Sequence, residues 1–423
     1  MSHFSKAEVT LTNQADLSVL EEAFNDLVLQ HDGLRLNVHT ETNGLYINNS
    51  HLQQRAVVDK FVLEQGETVA KVKEHLLSRF DLSTSLMISM TYIQQAGQPD
   101  RLLLMAHHLV VDGISWRIIL QDLQDACQAR KEGRVPTFPK TASLKDWSAA
   151  LADYTLTPEE EAYWQNQTVA APIPMQTDNP DAAMAHQKSH TVALDAEDTS
   201  YLLQEAHAAY NTDVPVLLNT ALALTLKEWT GADEFTVEHE NHGRHLEEVN
   251  TSRTVGWFTA MYPVTLSLKG DDTGSHIKGI KEQLRQVPNH GLGYGVGRYL
   301  SDDPLPAHNP AIRFNYLGQL DVTSGNDLFS YENQELALDS APENHMSTWL
   351  EWNSIVTDGQ LTVTLIYNEQ AHDAATADKL AAGFIEHLKA LLRHLREEDD
   401  IHFTPSDFAG ASLDEEDLDA LFG

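Results

Sequence analysis

The residues with the most chemical promise are His107 and His108. They stand side by side in MAHHLVVDGISW (Met105 to Trp116), five and four residues ahead of Asp112 and the Gly113 that follows it. An imidazole can move protons near neutrality, ligate a metal, or simply pack. Adjacent side chains at the end of a strand point to opposite faces, so one histidine of the pair faces packing and the other a cavity. Asp112 is suited to capping a following helix, and its carboxylate can also fix a neighbour's orientation. A packed histidine beside a capping aspartate accounts for these residue types as well as a proton-transfer site does. A metal site would need further ligands from elsewhere.

A second cluster lies in VEHENHGRH, where His239, His242 and His245 recur every three residues with Glu240 among them. Taken alone, this spacing suggests zinc. Asn241 and Gly243 suit a loop better than a helix, however, and no cysteine is near. With 21 histidines in the chain some clustering is expected by chance. No metal is expected.

The elements that must position these residues can be read from periodicity. SKAEVTLTN alternates like a strand, and Asp16 then caps a helix whose Leu17, Leu20, Phe24, Leu27 and Val28 form one stripe. Gly33 stops that helix, and LRLNVHTETNGLYI reads as a hairpin turning near Asn43-Gly44. A helix over about 68–80 precedes two strands, LMISMTYIQQ and DRLLLMA. The histidine pair therefore sits where a buried strand ends, and a helix begins just after Gly113. A short acidic helix over 155–164 leads into VAAPIPMQTDNPDAAMAHQ, which is rich in proline and without period, and a lobe boundary is placed there. Beyond it come the strand SHTVAL, a helix capped near Asp195, and a longer helix with Pro215 in its first turn. A last helix over about 376–395 precedes an acidic tail. Each half mixes strands and helices in irregular order, which predicts two α+β lobes.

Bulk composition narrows the classes of function. A chain of 423 residues with 42% hydrophobic content suits two domains with a core each. Its formal charge of −35, from 63 acidic against 28 basic residues, repels phosphate backbones and anionic lipid, so neither nucleic acid nor membrane is an expected partner. The single cysteine, Cys127, suits a reducing compartment. MSHFSKAEVT has no apolar signal core, and a soluble cytoplasmic protein is expected.

These residues also bear a family likeness. HHLVVDGISW resembles the HHxxxDG signature of the condensation superfamily of nonribosomal peptide synthetases, and its Ser115-Trp116 ending resembles the epimerization branch. Chloramphenicol-acetyltransferase-like acyltransferases share HHxxxD, but further stretches narrow the choice. ENHGRH (Glu240 to His245) resembles EGHGRE, and RTVGWFTAMYPVTL (Arg253 to Leu266) is similar to TVGWFTxxxPxxL. VPNHGLGYGVGRYL resembles P-x-x-G-x-G-Y-G, FNYLGQLD (Phe314 to Asp321) resembles FNYLGQ, and TWLEWNSIV extends the likeness. Two departures stand out. The family's opening PIQxWF is missing from the start of the first lobe, with folding stability expected to suffer. Asn241 replaces a glycine and His245 a glutamate, and the first alters a loop that draws on glycine's backbone freedom.

The resemblance implies two chloramphenicol-acetyltransferase-like α+β lobes in a V-shaped pseudo-dimer with a tunnel between them. Residues 1–175 would carry HHxxxDG, residues 176–410 would carry ENHGRH, TVGWFT and FNYLG, and residues 411–423 would be an acidic tail. It implies interconversion of L and D configuration at the α-carbon of an aminoacyl or peptidyl thioester held on a carrier protein. Such a reaction removes a proton from one face and delivers one to the other. A positioned acid or base supplies about 10²–10⁴-fold, and donors aimed at the enolate oxygen usually contribute more.

By the same resemblance His108 is one acid/base and Glu240 the other, on opposite faces of the substrate. His107 packs and positions, and Asp112 forms a buried salt bridge with Arg35 of HDGLR. Asn315 and Tyr316 line the site, a core tyrosine being the plainer reading of Tyr316; Trp257 and Phe258 are most simply core. No cofactor is expected to be bound. 4'-Phosphopantetheine would arrive as the tether on a peptidyl carrier protein, from an upstream domain or a separate chain, and a downstream condensation domain would take the product. The tail SLDEEDLDALFG reads either as a docking helix, with Leu413, Leu418 and Leu421 partly on one face, or as disordered. Two rivals are a condensing domain using His108 alone, which does not need Glu240, and a member that recruits carriers without catalysis.

Overall fold

The structure, a computed structural model, describes residues 3–12, 15–42, 44–167, 173–178, 180–319 and 329–408, of which 3 and 329–340 by backbone alone. The chain opens with β1 (His3–Leu11), α1 (Leu17–Gln30), β2 (Leu36–Val38), β3 (Leu45–Ile47), β4 (Asp59–Leu63) and α2 (Val69–Leu77). It continues with β5 (Ile88–Gln95), β6 (Arg101–His107), α3 (Gly113–Lys131) and α4 (Leu144–Asp153). Next come α5 (Pro158–Gln165), β7 (Gln187–Ala193), α6 (Ala196–Gln204), α7 (Val214–Thr230), β8 (Glu234–Asn241) and β9 (Ala260–Ser267). The remainder comprises α8 (Thr273–Arg285), α9 (Leu292–Tyr299), β10 (Ile312–Gln319), β11 (Phe329–Ser340), β12 (Leu350–Thr357), β13 (Gln360–Asn368) and α10 (Ala374–Glu397). Among the described residues, no helix is long and apolar enough to cross a membrane.

Two compact units divide the chain. The first comprises Met1–Asp153, Leu246–Thr259 and Val322–Ala341; the second comprises Tyr154–His245, Ala260–Asp321 and Pro342–Gly423. This differs from a single boundary at 175/176 in two ways. The second unit starts earlier because Trp164 of α5 is fully buried in its core, against Tyr294 at 5.4 Å and Tyr262 at 6.1 Å between ring centroids. The stretch containing TVGWF, expected in the second lobe, belongs to the first unit. Arg253 is ion-paired to the buried Asp122 of α3, which also takes a 2.9 Å bond from His31. Gly33 seats the same stretch: a Cβ there would lie 2.2 Å from the Val255 carbonyl oxygen, so no other residue fits without a shift. The acidic tail at 411–423 lies outside the described residues.

In the first unit the sheet order is β11-β1-β6-β5-β4, with β6 in the centre. A strand covered on both faces should be apolar along its buried length, and β6 is so from Leu102 to Ala106, between Arg101 and His107 at its ends. Leu102, Leu104 and Ala106 join the core under α1 and α3, whereas Leu103 and Met105 face Phe4, Val72 and Leu76. Asp16 caps α1 by accepting from the Ser18 amide, and Leu20, Phe24 and Leu27 bury its inner stripe.

In the second unit the order is β7-β13-β12-β10-β8-β9. Here the period of two sorts the residues by face. Val237, Ile312, Phe314, Leu350 and Trp352 enter the core with residues of α7 and α10. The alternate positions, Glu238, Glu240, Arg313, Asn315, Glu351 and Asn353, share the other face.

Candidate active site

In the first unit β6 ends at His107, and His108 begins a short 3-10 turn, His108–Val110. His107 is buried. Strand register sets it opposite Phe4, whose ring meets its edge at 5.1 Å, and its Nδ1 accepts from the Leu109 amide at 3.1 Å. His108 is half-buried, and its ring meets the Trp257 indole edge-on, at 5.1 Å and 68°. Trp257 is 45% exposed. Its expected place in the core is therefore corrected: it flanks the histidine, while its neighbour Phe258 is buried against Trp147.

Asp112 caps α3, its Oδ1 accepting from the Ser115 amide at 2.7 Å, and its Oδ2 accepts from the Phe258 amide at 3.3 Å. The expected Asp112–Arg35 pair gives way to a different arrangement. Arg35 follows the C-terminal end of α1 and donates there to the carbonyls of Val28 and Leu29, the second at 3.2 Å. Those carbonyls lack helical partners, and the negative end of the helix dipole favours a cation beside them. Ser115 donates to the Gly256 carbonyl at 2.9 Å and accepts from its amide at 3.1 Å. Trp116 is buried with its Nε1 on Ser5 Oγ at 2.7 Å. Asp112 and Ser115 thus tie the turn after His108 to the stretch that presents Trp257.

In the second unit Glu240 lies on β8, and β10 runs parallel beside it. Asn315 Nδ2 donates to Glu240 Oε2 at 2.7 Å. Tyr316 is half-buried and packs against the core. The Glu240 side chain keeps 19% exposure. Burial pushes its carboxyl up to about 7; Arg313 acts against this, and Glu351 and Glu238 add to it. A carboxyl in that range can both take and give a proton at neutral pH. Arg313, Glu238 and Glu351 went unnoticed in the sequence, where nothing signals that residues 75 positions apart in the chain are neighbours.

The three histidines of VEHENHGRH do not meet at one point. His239 turns into the core between Tyr262 and Phe314, and burial pushes its imidazole down to about 4. His245 stacks between His242 at 4.3 Å and His290 at 4.0 Å. Among the described residues no group of three His, Cys, Asp or Glu is arranged to hold a metal ion. The two departures from the family's motif touch each other, since His245 Nε2 and Asn241 Oδ1 are 2.8 Å apart. Asn241 needs no glycine freedom there: it is the last residue of β8, paired with Ala260, and Gly243 takes the positive φ of +69°.

His107, His108, Asp112 and Arg35 thus belong to the first unit, and Glu240, Asn315 and Tyr316 to the second. Each unit is a mixed sheet packed with helices, the chloramphenicol-acetyltransferase-like class. A family model described as "Condensation domain" matches residues 2–413, and the chain belongs to the condensation-domain family. It is similar to the solved epimerization domain of the third module of tyrocidine synthetase B, with TM-score 0.85 and 30% identity over 94% of this chain and 93% of that one. It is also similar to surfactin synthase subunit 1 of Bacillus subtilis (strain 168), 34% identical over 95% of this chain. Gramicidin S synthase 1 of Brevibacillus brevis is 32% identical over 97% of this chain. The chain spans 12% of the first of those two synthases and 40% of the second.

Proposed function

We propose that this chain is the epimerization domain of a nonribosomal peptide synthetase. It interconverts L and D configuration at the α-carbon of an aminoacyl or peptidyl thioester. The substrate hangs from the 4'-phosphopantetheine of a carrier protein, and a downstream condensation domain takes the product. His108 and Glu240 act on opposite faces of the α-carbon. One of them, as base, takes the α-proton; the C–H electron pair delocalises onto the thioester oxygen as an enolate. The other, as acid, returns a proton to the opposite face, and exchange with water resets both groups.

The observation that carries this reading is the setting of Glu240. Its carboxyl shares a sheet face with Asn315, accepts that residue's amide, and is pushed up to about 7 by burial. A condensing reaction that uses one histidine has no work for such a group. The likeness to the tyrocidine synthetase epimerization domain supports the same choice.

Glu240→Gln tests it, because glutamine keeps the shape and removes the proton transfer. Starting from each enantiomer of a carrier-bound thioester, α-proton exchange should fall on the order of 10²-fold or more in at least one direction. Unchanged equilibration in both directions would remove Glu240 from the mechanism and favour single-histidine condensing chemistry.

A further inference from the structure

The sheet register of the second unit sets a row of charges beside Glu240. Arg313 on β10 is in register with Glu238 on β8 and with Glu351 on β12. Its side chain is 13% exposed and is surrounded by three carboxylates. The closest is Glu238, whose Oε2 accepts from Nε at 2.7 Å. Glu240 Oε1 lies 3.5 Å from Nε, and Glu351 Oε2 lies 3.6 Å from Nη1. Arg313 Nη2 lies 2.5 Å from the same Glu238 oxygen and also donates to Ser347 Oγ at 2.6 Å. Two residues along the strands, on the same face, Asn315 is in register with Asn353, and Asn353 Nδ2 donates to Glu351 Oε1 at 2.9 Å.

This arrangement divides one cation among three anions unequally. A guanidinium committed to Glu240 by two parallel bonds would hold it permanently ionised, as bidentate pairing does. Here the short contacts go to Glu238, and Glu240 is left at the edge with a longer one. Removing Glu238 and Glu351 would free the guanidinium for Glu240. Removing Arg313 would leave three carboxylates close together with no cation among them, and like charges that near cannot all ionise.

The geometry points to Arg313 as a positioning residue for Glu240, with Glu238 and Glu351 holding its guanidinium back so that Glu240 can both take up a proton and give it away. This rests on the acid/base role proposed for Glu240 and adds what controls it. The charged groups facing Glu240 are Glu238 on its own strand, Arg313 on β10 and Glu351 on β12. From β9 the residue opposite is the uncharged Met261. Burial alone would favour the neutral carboxyl, and Arg313 is the group that opposes it.

The test is a carboxyl titration of the full chain labelled with ¹³C at glutamate δ-carbons, the Glu240 signal being assigned by its loss in Glu240→Gln. Arg313→Gln should move the Glu240 midpoint up by about one pH unit, and Arg313→Lys should bring most of it back. Glu238→Gln and Glu351→Gln should move it down. A merely structural role would not give shifts of opposite sign. Should Arg313→Gln fail to fold, Glu351→Gln still decides the matter, since Glu351 makes only the longer contact. An unmoved midpoint in folded Arg313→Gln, or an upward move in Glu351→Gln, overturns the inference. The titration needs no turnover, so its failure is separable from that of the proposed function. Shifts of the stated signs in a chain that exchanges no α-hydrogen would uphold the charge coupling and overturn the epimerase reading.

Discussion

At the scale of single residues, His107 and His108 show how far alternation reaches. A strand ending at His107 turns it toward Phe4, and the chain then leaves β geometry, so His108 takes its own direction. The burial of His107 was legible from the strand pattern. The partner of His108 was not, because an exposed tryptophan 149 positions later gives no local sign of its neighbour. Trp257 limits the orientations open to the imidazole without being buried itself. Trp257→Ala should therefore slow α-proton exchange on the order of 10–100-fold, since small misplacements of an acid or base act strongly on rate. Its thermal stability should fall by only about 1 kcal/mol, the scale of one aromatic contact. Exchange kinetics beside a melting curve check this, with Trp257→Phe intermediate. An exchange rate equal to that of the parent would show that the indole does not orient His108.

At the scale of elements, Asp112 was recognisable as a helix cap, and it is one. Its supposed salt bridge came from the family likeness, and Arg35 serves the end of α1 instead. Removing the Asp112 carboxylate loses the cap, worth about 0.5–2 kcal/mol, and leaves the buried Phe258 amide short of a partner, at about 1–3 kcal/mol. Asp112→Ala should accordingly be destabilised by about 1.5–5 kcal/mol. The discriminating measurement is a double-mutant cycle with Arg35→Gln, read by denaturant unfolding. Independent sites add to within about 0.3–0.5 kcal/mol, and additivity is expected. A coupling of several kcal/mol would restore the salt bridge. The row Glu238–Arg313–Glu351 marks the limit of sequence reading at this scale. Alternation puts each residue on a face, but which strand lies beside which, and in what register, is fixed by packing between segments far apart in the chain.

At the scale of the whole molecule, two α+β units were legible from irregular alternation of strands and helices. The boundary was misplaced because proline-rich composition marks irregular backbone, which here lies inside the second unit, after α5. Nor does composition reveal that residues 246–259 and 322–341 return to the first unit. That return has a consequence. A fragment ending at Asp153 lacks β11, the antiparallel partner of β1, and lacks the Gly256 backbone that satisfies Ser115. Such a fragment should expose an unpaired strand edge and aggregate or stay unfolded. Circular dichroism and size-exclusion chromatography check this, and a monomeric, cooperatively unfolding 1–153 fragment would show that the returning segments are dispensable. The central claim, two-base proton transfer, is met most directly by following the α-hydrogen itself. A carrier protein loaded with an α-deuterated L-aminoacyl or peptidyl thioester is mixed with the chain, and deuterium content and D/L ratio are read together. The predicted result is washout of deuterium with approach to a D/L mixture, both lost in His108→Ala. Retention of deuterium and of L configuration by a folded parent chain that binds the loaded carrier would contradict it.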